Sequence, residues 1–461
     1  MSSRSQQHQR PTRLYSGHVP DKCPEYNSVT RRRFLHTSGP AFGTLALSAL
    51  LPTWATANPL APKPVHHPAK AKRVIFLFMN GGPSHHETFD YKPELARAAQ
   101  STPRLLAPQL SFSPAGQSGL MISEAFPNLA KHADDLCLLN GMRINTNSHL
   151  QGVVRLHTGN EMFVRPSMGS WVVYGLGSEA EDLPGFITIN PISNQGGASN
   201  YGSAFLPASF QGTRISGAGG SVPNLTNDRL TKRDQRSQLD FINRSNADLQ
   251  KRFPGNPEFE GVVQSYEMAF KMQTSIPETF DLRAEPDSVL QLYGNSGFGS
   301  QCLMARRLAE KGVRFIQLTA NGWDHHGNVG EGVLDRAAQI DKPIAGLLTD
   351  LKQRDMLKDT LVVWGGEFGR GSNEDNNGGR GHNGQGFTFW MAGGGVKGGI
   401  AHGATDELGA QAVDGIMNFH DLHATILHLL GLNHKRLTYR YAGRKFRLTD
   451  TEGIVATEIL A

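Results

Sequence analysis

The chain has 461 residues, with 46 Lys+Arg against 41 Asp+Glu and a formal net charge of +5. Seven of the basic and two of the acidic side chains fall within residues 1–57, so the remainder carries 39 of each and is neutral. A neutral remainder without a basic patch excludes a nucleic-acid-binding reading, and about 400 residues suffice for one large α/β domain or two smaller ones.

The basic excess belongs to a leader. Thr30-Arg31-Arg32-Arg33-Phe34-Leu35 precedes an apolar run from Pro40 to Leu51 and the small-x-small site Ala55-Thr56-Ala57. Basic, apolar and small segments in that order predict a twin-arginine signal peptide over residues 1–57, a route that exports proteins already folded to the periplasm or cell envelope. The apolar run, about a dozen residues, is too short to span a bilayer. No other long apolar run follows, so no integral membrane segment is expected after cleavage. Residues 58–72, rich in Pro, Ala and Lys, read as a linker, and 73–461 as one domain.

Val74 to Met79 is a continuous apolar run closed by Asn80-Gly81-Gly82-Pro83, the pattern of a strand buried on both faces. Leu129 to Met142 reads as a helix leading into a short strand. Val153 to Thr158 falls in a helix after the polar segment Asn145–His149, and Phe186 to Ile189 reads as a strand. Residues 190–225 are rich in Gly, Ser and Asn and loop-like. Residues 226–300 turn helical and charged, with Leu230 to Phe253 and Phe259 to Met272 as helices of an insertion or cap. A helix over Gln301–Lys311, closed by Gly312, is followed by a strand over Val313–Thr319. A helix over Leu334–Arg354, strands over Leu361–Trp364 and Phe387–Ala392, and a helix over His420–Leu430 complete the chain. This alternation predicts an α/β fold with a mainly parallel central sheet and helices on both faces. Cys137 and Cys302, in apolar contexts, read as buried thiols.

Three strand ends run into polar clusters. The first carries Asn80, Ser84, His85 and His86. The second carries Asp324, His325 and His326. The third carries Glu367 and Arg370, with Arg380 and His382 soon after. Ligands of open α/β sheets gather at the carboxyl ends of strands, so the three clusters are expected to meet. Asp324 and His326, two apart, face one side of an extended segment. With Glu367 and His382 they make either a four-ligand set for a divalent metal, Zn or Mn, or a structural polar network. Such a metal activates water and polarises an ester oxygen. Arg370 and Arg380 are expected to grip an anionic substrate through paired hydrogen bonds. His149 reads as a ligand, a general acid/base or a helix N-terminal residue, with Ser148 and Thr146 as candidate nucleophiles. Asn80, His85, His86 and His325 are further candidates. Ser372–Gly379 reads as a hydrated loop without the spacing of a calcium loop.

The segments Asn80–Asp90, Gly322–His326, Gly366–Arg370 and Gly379–His382 together resemble the secreted domain-of-unknown-function 1501 family. The ending, Asp421–Leu432 and Leu437–Arg444, is similar to members abundant in planctomycete-type bacteria. That family is itself similar to the alkaline phosphatase and sulfatase superfamily. The resemblance implies an αβα sandwich with Asp324 and His326 as paired metal ligands and Glu367 where an Asp-His pair follows a late strand. It also implies His382 as the final His ligand. Asn80 stands where the superfamily has a metal-binding Asp, and Phe368 where it has a His, which implies one metal rather than two. Neither Cys137 nor Cys302 lies in the Cys/Ser-x-Pro-x-Arg context of a formylglycine sulfatase. The leading expectation is an exported, metal-dependent hydrolase of a phosphate or sulfate ester. The alternative is a non-catalytic protein on the same scaffold that binds a sulfated or phosphorylated glycan or an envelope partner.

Overall fold

In the computed structural model, described for residues 58–217, 225, 229–252 and 257–461, eight strands make one sheet. The leader expected over residues 1–57 lies outside the described residues, as do the side chains of residues 247–264. The first strands are β1 (Arg73–Asn80), β2 (Leu136–Met142), β3 (Phe186–Ile189), β4 (Thr213–Ile215), β5 (Phe315–Asn321) and β6 (Thr360–Gly365). A hairpin of β7 (Gly369–Glu374) and β8 (Arg380–Asn383) follows, and β9 (Phe387–Ala392) and β10 (Ile400–His402) complete the sheet. Its order is β10-β2-β9-β6-β1-β5-β3-β4. Every neighbouring pair is parallel except those made by β9, which is antiparallel to both β2 and β6.

The helices are α1 (His149–Thr158), α2 (Met168–Leu176), α3 (Lys232–Arg252), α4 (Pro257–Phe280), α5 (Gly297–Glu310), α6 (Val329–Gln353) and α7 (Phe419–Leu429), with shorter ones at Pro93–Ala99 and Asp287–Tyr293. Side-chain alternation along β1 shows how they form two layers. Ile75, Leu77 and Met79 join a core built with α5 and α6, whereas Val74, Phe76 and Phe78 join one built with α1, α2 and α7. Each such side chain, fully buried, contributes about 1.5–3 kcal/mol. Local chemistry sets the helix ends. Ser296 Oγ accepts from Gly299 N at the start of α5, and Asn418 with Asp421 makes a reciprocal capping box at the start of α7.

Four expectations change. Residues 58–72 are no free linker: Lys63 N donates to Leu176 O, His66 N to Gly431 O and Lys70 N to Leu429 O, each at 2.8 Å. Before β2 the chain makes 3-10 turns over Leu129–Asp135 rather than a helix, and β2 takes over at Leu136. Within 226–300, α4 buries Met272, Ile276 and Phe280 in the same core as α5 and α6, so this helix is built into the layer. Ser372–Glu374, expected in a loop, belongs to β7.

Cys137 and Cys302 are buried free thiols, and burial pushes the Cys137 thiol up to about 12. Among the described residues, no helix is long and apolar enough to cross a membrane.

Candidate functional site

The carboxyl ends of β1, β5 and β6 lie side by side in the sheet, and their exits carry Gly81, Asp324 and Glu367. Because β9 runs the other way, the hairpin that precedes it arrives at the same edge and brings His382. The chain leaving β2 reaches that edge too and starts α1 at His149. Two glycines permit the close approach. Gly81 has φ +119°, and a Cβ there would sit 2.6 Å from Asp324 N. At Gly379, in the hairpin turn, a Cβ would sit 2.0 Å from the carbonyl carbon of His326.

Three imidazoles meet one carboxylate. His326 Nε2 and His382 Nε2 each lie 3.1 Å from Asp324 Oδ1, and His149 Nε2 lies 3.2 Å from Asp324 Oδ2. The Nε2 atoms of His326 and His382 are 2.9 Å apart. On the far side of each ring, Nδ1 faces an oxygen: Glu367 Oε1 at 2.5 Å for His149, Asp375 Oδ2 at 2.5 Å for His326, and Asn147 O at 2.7 Å for His382. With a cation bound, a hydrogen donated from each Nδ1 would leave each Nε2 its lone pair aimed inward, and His149 would give up its second proton to bind. His149 Nε2 is buried and, despite its distance from Asp324, has no partner at hydrogen-bond angles.

Charge is concentrated here. Burial works against protonation of His149, but the Asp324 and Glu367 carboxylates override it and push the imidazole up to about 9. Partial burial likewise opposes ionisation of Asp324, yet the His149 and His382 imidazoles and the Arg370 guanidinium beside it hold its carboxyl well below the usual range. The Asp324 side chain is 44% exposed, so the cluster opens to solvent. Phe368 closes it from beneath, its ring centroid 4.8 Å from that of His149 and 4.7 Å from that of His382.

The family model described as "Protein of unknown function (DUF1501)" matches residues 71–460. The chain belongs to that family. No curated protein sequence matches it. Three similar solved structures are a TAB5 alkaline phosphatase mutant with Mg bound, the lipoteichoic acid synthase LtaP from Listeria monocytogenes, and the PsFucS1 sulfatase from Pseudoalteromonas sp.. The phosphatase is 11% identical, with a TM-score of 0.36, over 79% of this chain and 99% of its own. For the synthase the figures are 10%, 0.36, 84% and 78%. For the sulfatase they are 12%, 0.36, 84% and 72%.

Several residues of this DUF1501 protein do not stand where the sequence led us to expect. Glu367, expected as a ligand, is fully buried and faces His149 Nδ1 and the Gly81 amide instead of the cluster's centre. Arg370 is also fully buried. Its donors go to Gly82 O, Gly81 O, Arg380 O and Asp324 Oδ1, the last at 2.5 Å, so it anchors Asp324 rather than gripping a substrate. Burial pulls its guanidinium below the usual value. Arg380, also fully buried, pairs with Glu87 at 2.8 Å and with Gly371 and Ala107 carbonyls. Removing one partner of a buried pair costs about 3–5 kcal/mol. Urea unfolding of Glu87→Ala should show that loss, and a change within about 1 kcal/mol would refute a structural role for the pair.

The remaining candidates lie around the cluster. Ser148 stands at the N-cap position of α1, but its exposed hydroxyl makes no cap hydrogen bond and has no partner among the described residues, whereas Thr146 Oγ1 is spent on Gln151 and Ser148 N. Asn80 donates to Asn321 Oδ1 at 3.2 Å. His325 packs against Gly332 of α6, where burial pushes it down to about 4. His85 and His86 stack at 4.0 Å in a buried polar pocket with Gly409, and burial lowers both. Sequence reasoning missed Asp375 and the Asn147 carbonyl as partners of His326 and His382. Both act through turn geometry, which no spacing rule announces.

Proposed function

We propose that this protein is an exported hydrolase of an anionic ester, phosphate or sulfate, working with one divalent cation, zinc or manganese. The observation that supports it is the set of three Nε2 lone pairs converging on Asp324, each ring oriented by an oxygen behind it. Imidazoles held this way, with a carboxylate between them, suit such a cation. His149, Asp324 and His382 offer ligand atoms within 4.8 Å of one another, and His326 joins them through Asp324. A bound divalent cation supplies Lewis acidity toward an ester oxygen.

The residues do the rest. Glu367, Asp375 and the Asn147 carbonyl fix the imidazole tautomers. Arg370 holds one oxygen of Asp324 in place. Phe368 keeps water from the cluster's floor, while the open side admits the ester. Ser148 is the side-chain nucleophile of this reading, and direct attack by water is the alternative that Ser148→Ala separates from it.

Elemental analysis of the protein purified after native export tests the proposal. About one Zn or Mn per chain, together with hydrolysis in a panel of phosphate and sulfate esters, is expected. No metal under native loading would overturn it in favour of a binding protein for a sulfated or phosphorylated glycan. Glu367→Gln is a graded test, because an amide can turn its NH2 toward His149 Nδ1 and upset the tautomer. Chelator competition should show about 10–100-fold weaker cation binding. Unchanged affinity would remove Glu367 from this role.

A further inference from the structure

A cavity of about 540 Å³ lies beside the cluster, lined by the carboxyl end of β5, α5 and α6. Its walls include Asn190, Gln301, Asn321, Trp323, Arg336 and Gln339. Cavity and cluster share one turn of chain: Trp323 immediately precedes Asp324, and a Cβ on Gly322, just before Trp323, would lie 3.2 Å from Arg336 Cδ. Three wall side chains are more than nine-tenths buried and leave a polar atom unspent. Gln301 Oε1, Thr319 Oγ1 and Trp323 Nε1 have no hydrogen-bond partner among the described residues, at 8%, 4% and 0% exposure. An unmade bond on a buried group costs about 1–3 kcal/mol, so three of them in one wall point to a ligand.

The wall chemistry narrows that ligand. Asn190 and Asn321 spend their carbonyl oxygens on Gly217 N and Asn80 Nδ2, which leaves their amide hydrogens. Trp323 adds a donor and Gln301 an acceptor. A site for an anion alone presents donors only, and an apolar ligand calls for neither. Hydroxyl groups both donate and accept, and match this mixture. Arg336 adds positive charge on the cluster side, and none of the described ion pairs uses it.

We propose that this cavity receives the polyhydroxylated, sugar-like part of an ester whose anionic group lies at the Asp324 cluster, with Arg336 between the two. The proposal rests on the hydrolase reading for the placement of the anion.

Titration of the exported protein with glucose 6-phosphate, glucosamine 6-sulfate and p-nitrophenyl phosphate, followed by saturation-transfer NMR, tests it. The sugar esters should bind more tightly than the aryl ester, with saturation reaching their ring protons. Trp323→Phe removes the N–H and keeps a smaller aromatic ring, and Gln301→Leu removes the amide; urea unfolding of both variants checks that they stay folded. Each should weaken the sugar esters about tenfold and leave p-nitrophenyl phosphate unchanged. Arg336→Gln should weaken all three. Sugar esters that bind no better than the aryl ester, or bind equally to the Trp323→Phe and Gln301→Leu variants, overturn the subsite. The two readings fail separately. Hydrolysis of p-nitrophenyl phosphate with no effect of either variant on the sugar esters sinks the subsite alone. Variant-sensitive sugar binding by a protein that holds no cation and cleaves nothing keeps the subsite and sinks the hydrolase.

Discussion

Asp324→Ala should empty the cation site and abolish hydrolysis. All three Nε2 atoms face this one carboxylate, so its loss removes a ligand and the only negative charge they share. The fall in cation affinity should exceed the roughly 10–100-fold expected for an outer residue such as Glu367. Elemental analysis should drop from about one metal per chain to a small fraction. Stability should suffer less than binding. Arg370, which loses its ion pair, keeps the Gly81, Gly82 and Arg380 carbonyls as acceptors. Asp324→Asn separates charge from shape: it preserves an oxygen for Arg370 and should still lose the metal. If both variants retained wild-type metal content and activity, the ligand assignment would be wrong.

The second large effect is on stability in acid. His157 and His423 are buried between α1, α7 and the sheet. His157 Nδ1 donates to Val153 O at 2.8 Å while its Nε2 faces Gln317 Nε2 at 3.0 Å. His423 Nε2 donates to Leu156 O at 2.7 Å, and its Nδ1 is buried with no partner among the described residues. Burial pushes His157 down to about 4 and His423 down to about 3. Both are therefore neutral in the folded protein and take up protons more readily when unfolded. Their stabilising contribution is complete above the unfolded value of about 6.5 and is lost as pH falls toward the folded values. At pH 4.5 each should cost about 2–3 kcal/mol relative to pH 7.5. Together that is a large part of the ~5–15 kcal/mol that holds a typical domain folded. Urea unfolding at the two pH values measures it. His423→Gln keeps a donor toward Leu156 but cannot titrate, so it should flatten the pH dependence by about half. A wild-type protein equally stable at both pH values would contradict this account.

Strand positions were legible where burial on both faces forced a continuous apolar run: Val74–Met79 and Phe387–Ala392 are strands in the structure. The direction of Phe387–Ala392 was not legible. A strand that is apolar throughout carries no alternation, so nothing in its residues shows which way it runs. The meeting of Asp324, His326 and His382 could be anticipated from the polar clusters at strand ends. The inner and outer places of His149 and Glu367 could not, because they depend on which atom of which side chain faces inward. Arg370 and Arg380 were misleading for a related reason. An arginine next to a site reads as a substrate clamp, and only burial reveals that its donors are already spent on backbone oxygens.

The reversed strand β9 has a consequence for when the centre comes into being. His149 and Glu367 are 218 positions apart in sequence, and Asp324 and His382 are 58 apart. Such non-local pairings are slow to form. Until β9 inserts between β2 and β6, its hairpin has no fixed place at the edge and His382 is missing from the set. On the proposed reading, cation capture would then be a late event in biogenesis, and occupancy would serve as a certificate that the sheet has closed. Were the chain also exported already folded, metal loading would belong to the compartment of synthesis, before export, whatever metal the destination offers.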